Sequence, residues 1–244
     1  MIHKNYQLMW GGGGWINDKS LFFDGVNQRL PINSATVVSN LAQFSISIWF
    51  KISSLHATRP RYLYAESSTT NAIPFLGIRI LNNGKLSVFH RNNAFSSFSI
   101  TSGSSYNDAS WHHCLFTKRA NNDWQLYADG ASVGTSVANV APPLTIDNVS
   151  FGAYDQGGGY VDWWHGNIDE SYMFNSGYTI TEAAELWNGG CPFDINTFSG
   201  IGDGLHGYRM GENDSNPTIT DIIGSLDGTM VNMDNTNIQS VTPC

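Results

Sequence analysis

Basic residues are scarce in this chain. Lys plus Arg number 12 against 20 Asp plus Glu, a net charge of −8. With no basic cluster, it lacks the phosphate-neutralising surface on which nucleic-acid affinity rests, and it has no attraction to an anionic membrane. No apolar run approaches the roughly 20 residues that cross a bilayer, so membrane insertion is not expected. The opening MIHKNYQLMWGGGGWINDKS has neither the apolar core nor the small-residue cleavage site of a signal peptide. The expected routes are retention, signal-free export or release on a particle. Cysteine is also sparse, with three residues and therefore no disulfide framework. Cys114 reads as a small buried hydrophobe, and Cys191 and Cys244 are a pair that an oxidising medium would allow. Charged residues are only 13% of the chain, about half the usual share, so the surface must be built from Ser, Asn, Thr and Gly. Such surfaces are common on strand-and-loop proteins that work outside cells.

Aromatics, by contrast, make up 13% of the 244 residues and hydrophobics 41%, enough for a sizeable core. Strand patterns dominate. In FSISIWFKIS, Phe44, Ile46, Ile48, Phe50 and Ile52 share one face, which predicts a strand with one dry side. LGIRILNNGKLSVFHR is split by Asn83-Gly84, a hairpin signal because both residues tolerate positive φ. SWHHCLFTKRANNDWQLYADGASVG reads as strand, turn, strand, Asp-Gly turn, strand. VSFGAY and GNIDESYMF are further strands, and the spacing of turns predicts a sandwich of antiparallel sheets. One short helix is expected near 180–188. Thr179 and Glu182 fit a capping box, and Gly189 stops the run. Residues 1–19 read as an N-terminal arm, with Trp10 and Trp15 flanking a flexible tetraglycine as docking residues. Residues 20–244 read as one domain, with a loop-like stretch from Cys191 to about Asn216 and closing strands in PTITDIIGSLDGTMVNM.

SLFFDGVNQRLPI, FSISIWFKIS, SWHHCLFTKRANNDWQLYADGASVG, SFGAY and GNIDESYMFNSGYTITEAAELWNGG occur in that order. Together, over roughly residues 20–190, they resemble the laminin-G-like branch of the concanavalin-A-like lectin/glucanase superfamily. The resemblance implies an all-β jelly-roll of two packed antiparallel sheets, one of them concave. It also implies that the last strands return beside the first, bringing PTITDIIGSLDGTMVNM next to SLFFDG. The arm and tail also resemble laminin-G-like virion proteins of tailed, especially marine, phages. That second likeness implies a decoration, fibre or adhesin role at a virion surface or in the extracellular medium, with virion proteins, further copies of the chain or a host-surface glycan as partners.

Most carboxylates read as structural. Asp129-Gly130 makes a hairpin turn. Asp169-Glu170 are neighbours on a strand, so they are expected on opposite faces and not as the same-face pair that cuts a glycosidic bond. His112-His113 are likewise split between faces, a poor chelate. No nucleophile elbow or phosphate loop is present, and the expectation is a non-catalytic module. For Ca²⁺, which takes several hard oxygens, the candidate ligands are Asp24, Asp155, Asp162 and Asp169, with Asp147 and Asn148 behind them. The stretch most suggestive of binding is GAYDQGGGYVDWWHG, where Tyr154, Tyr160, Trp163, Trp164 and His165 accompany a glycine run. These aromatics suit a sugar, a protein surface or plain core packing. A second patch is HATRPRYLY, with Arg59, Arg61, Tyr62 and Tyr64. The leading expectation is a phage virion component. The alternatives are a free carbohydrate-binding lectin, Ca²⁺-dependent or not, and then a glycoside hydrolase.

Overall fold

In the strand Phe44–Ile52, Phe44, Ile46, Ile48, Phe50 and Ile52 all enter the central core, as the alternation requires. The computed structural model in which this is seen describes residues 15–32, 37–120 and 122–244. Trp10 and the tetraglycine 11–14 of the expected arm lie outside the described residues.

Two eight-stranded antiparallel sheets face each other. The first runs in the order Ala131–Ser136, Trp124–Ala128, His112–Lys118, Phe44–Ile52, His165–Phe174, Ser20–Asp24 and Ile238–Gln239, with Gly204–Tyr208 beside the far half of His165–Phe174. The second runs Thr218–Ile219, Gly228–Thr229, Leu30–Ile32, Asn148–Phe151, Arg61–Ser67, Phe75–Ile80, Lys85–Arg91 and Ser97–Ser105. This is the expected sandwich. Phe23, Phe50, Phe116, Phe151, Trp124 and Trp164 fill the space between the sheets.

The turns follow their chemistry. Asp129 (φ 50°) and Gly130 (φ 73°) form a two-residue link that pairs Ala128 with Ala131. The Asp129 carboxylate also accepts the His113 N–H at 2.8 Å and lies 2.8 Å from His112 Nδ1. The Asn83-Gly84 hairpin forms as well, but with a longer loop between Ile80 and Lys85. Only Gly84 takes positive φ, while the Asn83 side chain accepts the Lys85 N–H. The helix Ile180–Trp187 has both halves of its capping box. Asn188 closes it in the left-handed region, one residue before Gly189.

Four expectations are corrected. The stretch 191–216 holds a strand, Gly204–Tyr208, which the weak alternation of GLHGY hid. The segment PTITDIIGSLDGTMVNM does not lie beside SLFFDG. Gly228–Thr229 pairs with Leu30–Ile32 in the opposite sheet, and it is Ile238–Gln239 that joins Ser20–Asp24. The polar face of Phe44–Ile52 is not wet. The helix and residues 191–203 roof the outer side of the first sheet, packing Leu186, Ile195 and Phe198 over Leu115, Tyr127, Tyr172 and Phe174. Ser45 and Thr117 survive there without water because they hydrogen-bond each other and receive the Tyr178 N–H.

Finally, a β-bulge between Asp169 and Tyr172, with Glu170 at φ 37°, inserts a residue into the alternation. Ile168 and Met173 both remain in the central core, and Asp169 and Glu170 both come to the roofed side instead of being split.

Candidate functional site

That bulge places two carboxylates together, so their surroundings decide whether they can work. Asp169 is fully buried and accepts from Asn17 Nδ2 and from the Glu170 N–H. Glu170 is 1% exposed and is held by the Tyr172 hydroxyl and by Arg209 Nε at 3.0 Å. Burial, and then the charge of Glu170, hold the Asp169 carboxyl well above the usual carboxylate range. Burial also raises Glu170, against the opposing pull of Arg209. The space beside them, between Trp49, Tyr172 and Pro192, is ≈ 10 Å³, about enough for one water and far too small for a sugar ring. The pair is sealed.

An open site lies on the other sheet. The loop after Asn148–Phe151 crosses the outer face of the second sheet, and Tyr154 anchors it. Its ring stacks on Phe75 at 4.6 Å and lies 5.3 Å from Tyr62, and its hydroxyl donates to Ala72 O. The short ladder of Tyr154–Asp155 with Tyr160–Val161 folds the glycine run back on itself. Asp155 is spent inside that fold, 3% exposed and accepting the Gly158 N–H. The returning chain and the segment before Arg61 enclose a cleft of ≈ 190 Å³, lined by Gly25, His56, Arg59, Pro60, Arg61 and residues 160–163.

Tyr160 and Trp163 are half-buried in its wall, with ring centroids 6.0 Å apart and planes 32° apart. Tyr160 is fixed from behind. Arg29 stacks 4.1 Å from its ring centre, and its hydroxyl donates to Asn148 Oδ1 at 2.6 Å. Asp162, at φ 58°, brings its Oδ1 to 2.5 Å from Arg59 Nε. This is a charge contact whose angle is not that of a hydrogen bond, since Oδ1 has no donor aligned on it. Burial raises the Asp162 carboxyl, with Arg59 opposing. Arg61, 8% exposed, donates to Trp163 O at 2.6 Å and leaves its buried Nε without a partner. A Cβ at Gly25 would come within 2.8 Å of the Arg61 guanidinium and 2.7 Å of His165 Cβ, and φ there is 76°, so only glycine lets that turn close the cleft.

The five aromatic candidates therefore part company. Tyr160 and Trp163 line the cleft. Trp164 is fully buried in the central core, edge-on to Phe50, because adjacent residues in extended chain point opposite ways. Tyr154 is a 5%-exposed anchor. His165 is partly exposed and tied to Ser54 Oγ through Nδ1 at 2.7 Å; burial and then Arg61 lower its pKa. In the second patch Tyr64 joins the central core.

The four aspartates proposed for Ca²⁺ are not brought together. Asp24 accepts the Val26 N–H in its own turn, Asp155 that of Gly158, Asp162 faces Arg59, and Asp169 is sealed under the roof of the first sheet. Among the described residues no three His, Cys, Asp or Glu side chains are grouped to hold a metal ion. Asp147 is engaged by the Thr69 N–H and hydroxyl. Trp15 of the arm packs on its own domain, with Arg209 5.1 Å from its ring centre, and Asn17 and Lys19 are bonded to the body by Asp169 and Glu212.

The sequence reading missed His56, Arg29, Arg79 and Arg91. The last two were legible in principle. They alternate with Phe75 and Phe89 on the polar side of the Asn83-Gly84 hairpin.

The sequence model of the concanavalin A-like lectin/glucanases superfamily matches residues 24–184, and the chain belongs to that superfamily. No curated protein matches the sequence. Among solved structures, the sialidase-associated CBM40 module of Ruminococcus gnavus, bound to α2,3-sialyllactose, superposes with a TM-score of 0.58 at 16% identity, over 68% of this chain and 97% of that one. A heptameric SAP-like pentraxin from Limulus polyphemus gives 0.54 at 16%, over 87% and 95%. The leech intramolecular trans-sialidase gives 0.57 at 15%, over 73% of this chain but 29% of that enzyme. At such identities the likeness is one of fold.

Proposed function

We propose that this member of the concanavalin A-like lectin/glucanases superfamily is a non-catalytic carbohydrate-binding module whose ligand lies in the cleft at residues 160–163. The observation that carries the reading is the pair Tyr160 and Trp163, half-buried beside Arg59 and Asp162 in an open cleft. A pyranose offers a C–H face and a rim of hydroxyls, and it matches aromatic rings flanked by charged donors and acceptors. The fold neighbour bound to sialyllactose supports the saccharide class. The sealing of Asp169 and Glu170 supports the absence of hydrolysis, because a general acid must reach the leaving oxygen. The setting belongs to the same proposal and rests on the resemblance of arm and tail to phage laminin-G-like proteins: the module is displayed on a virion and meets host-surface glycans.

Two adjacent tryptophans make the test. Trp163→Ala is expected to weaken binding to a glycan array at least tenfold with the melting temperature unchanged. Trp164→Ala is expected to destabilise the fold by about 3–5 kcal/mol. Undiminished glycan binding by Trp163→Ala, or a wild-type chain that binds no glycan, would overturn the reading.

A further inference from the structure

Arginine is not spread evenly in this chain. Five of its seven arginines, at positions 29, 59, 61, 79 and 91, surround the 152–164 loop and the sheet face beneath it. The protein carries a net charge of −8, so carboxylates are available to pair with them, yet only Arg59 takes one. Among the described residues Arg29, Arg61, Arg79 and Arg91 form no ion pair.

Arg79 and Arg91 are held ready in a particular way. On the outer face of the second sheet Phe89 stands between them, 5.2 Å from the Arg79 guanidinium and 5.7 Å from that of Arg91. Tyr62 flanks Arg79 at 5.7 Å and Phe75 flanks Arg91 at 5.4 Å. Arg91 is fixed by Nε to Ile73 O and by a terminal nitrogen to Ala72 O. Among the described residues Arg79 makes a single hydrogen bond, to the Tyr62 hydroxyl at 2.9 Å, and its buried Nε has no partner. A guanidinium stacked on rings keeps its planar fork of N–H donors free at the edge, the geometry that matches a carboxylate or sulfate. The face adjoins the cleft through Tyr62 and Asp162. Tyr62 donates its backbone N–H to Asp162 O, and Arg79 as well as Arg59 acts on the Asp162 carboxylate.

Resting on the saccharide reading above, we propose that the ligand is an anionic saccharide whose carboxylate or sulfate is received by Arg79 and Arg91, while its neutral rings extend toward Trp163. The long-range field of an acidic protein opposes an extended polyanion, so recognition falls to a local fork and not to a basic surface. This favours a sugar with isolated charges over a nucleic acid.

The test is a glycan array printed with matched pairs, namely a carboxylated sugar with its carboxyl-reduced form and a sulfated sugar with its desulfated form. It is probed with the wild-type chain, Arg79→Gln and Arg79→Lys. The wild type is expected to prefer one acidic class over its neutral partner at least tenfold, and the pair that shows the preference identifies the anion. Raising salt from about 50 mM to 500 mM should erode that preference. Arg79→Gln should abolish it with the melting temperature unchanged, and Arg79→Lys should restore it only in part because the fork is lost. Equal binding of acidic and neutral partners would overturn the inference and leave the saccharide reading standing. A blank array would overturn both. A preference that survives Arg79→Gln, or a single-stranded oligonucleotide bound as tightly as the best glycan, would also overturn it.

Discussion

On the outer face of the first sheet, Asp169 and Glu170 are buried, Glu170 beside Leu186, Pro192 and Ile195 of the roof and Asp169 bonded to Asn17. On the outer face of the second, Arg79 and Arg91 lie partly exposed between aromatic rings. By residue type the first face is the better candidate for chemistry, with paired carboxylates of raised proton affinity next to an arginine and a tyrosine. Access reverses the ranking. The carboxylates have hydrogen-bond partners within the protein and no space for a substrate, whereas the guanidinium groups use only some of their donors and form no ion pair among the described residues. Perturbed proton affinity marks functional sites only when the group also faces a cleft. Here it marks burial.

Removing the roof is the most forceful way to break this contrast. Leu186, 3% exposed, is the helix residue that packs into the outer cluster. Leu186→Ala is expected to lose about 2–5 kcal/mol in urea denaturation and to leave saccharide binding at the opposite face intact. A loss below about 1 kcal/mol would mean that the helix is a loose flap, and the sealing of Asp169 would need another cause.

The sealed face also predicts a pH dependence. Because the folded-state pKa of Asp169 is raised by burial, the native protein holds more protons than the unfolded chain from about pH 4 upward to that raised value. Stability then falls as pH rises through the window, by up to about 1.4 kcal/mol per pH unit for one proton. Asp169→Asn keeps the shape, removes this titration and should flatten the part of the profile that falls above about pH 4. Parallel profiles for wild type and variant in chemical denaturation would show that the carboxyl is solvated after all.

The architecture was largely legible because alternation and turn chemistry are local. FSISIWFKIS, Asp129-Gly130 and the Thr179–Glu182 cap each specify their own geometry within a few residues. What sequence could not show was which of two neighbouring residues faces where once a bulge intervenes. Asp169 and Glu170 were assigned to opposite faces by strict period two, and the inserted residue at Glu170 cancelled that rule. The roof was hidden for a related reason: the strand Phe44–Ile52 read as dry on one side only, and only the tertiary cover that includes residues 191–203 makes its polar side, with Ser45 and Ser47, dry as well. The site was half legible. Aromatic crowding in GAYDQGGGYVDWWHG pointed to the loop that walls the open cleft, but the sorting of Trp163 outward and Trp164 inward depends on where the extended backbone leaves the Tyr160–Val161 ladder. Arg79 and Arg91 escaped notice because charge on the polar side of a hairpin is ordinary. What sets them apart is that neither forms an ion pair among the described residues, which only the fold reveals.

The smallest effect in the set tests whether the roof is held by its packing or by its own ends. Thr179 caps the helix through its hydroxyl to the Thr181 N–H, and Glu182 returns a carboxylate to the Thr179 N–H at 2.8 Å. Thr179→Ala removes the first of these and is expected to cost about 1 kcal/mol, the usual value for a lost cap. A helix of eight residues is too short to be stable alone, so its order depends on Leu186 and Ala183 seated against Leu115, Tyr127 and Phe174. If packing dominates, Thr179→Ala lowers the midpoint slightly while hydrogen exchange in the helix stays as slow as in the sheet below it. If the cap dominates, exchange in the helix accelerates far more than the midpoint falls, and the roof then opens as a separate unit without unfolding the sandwich.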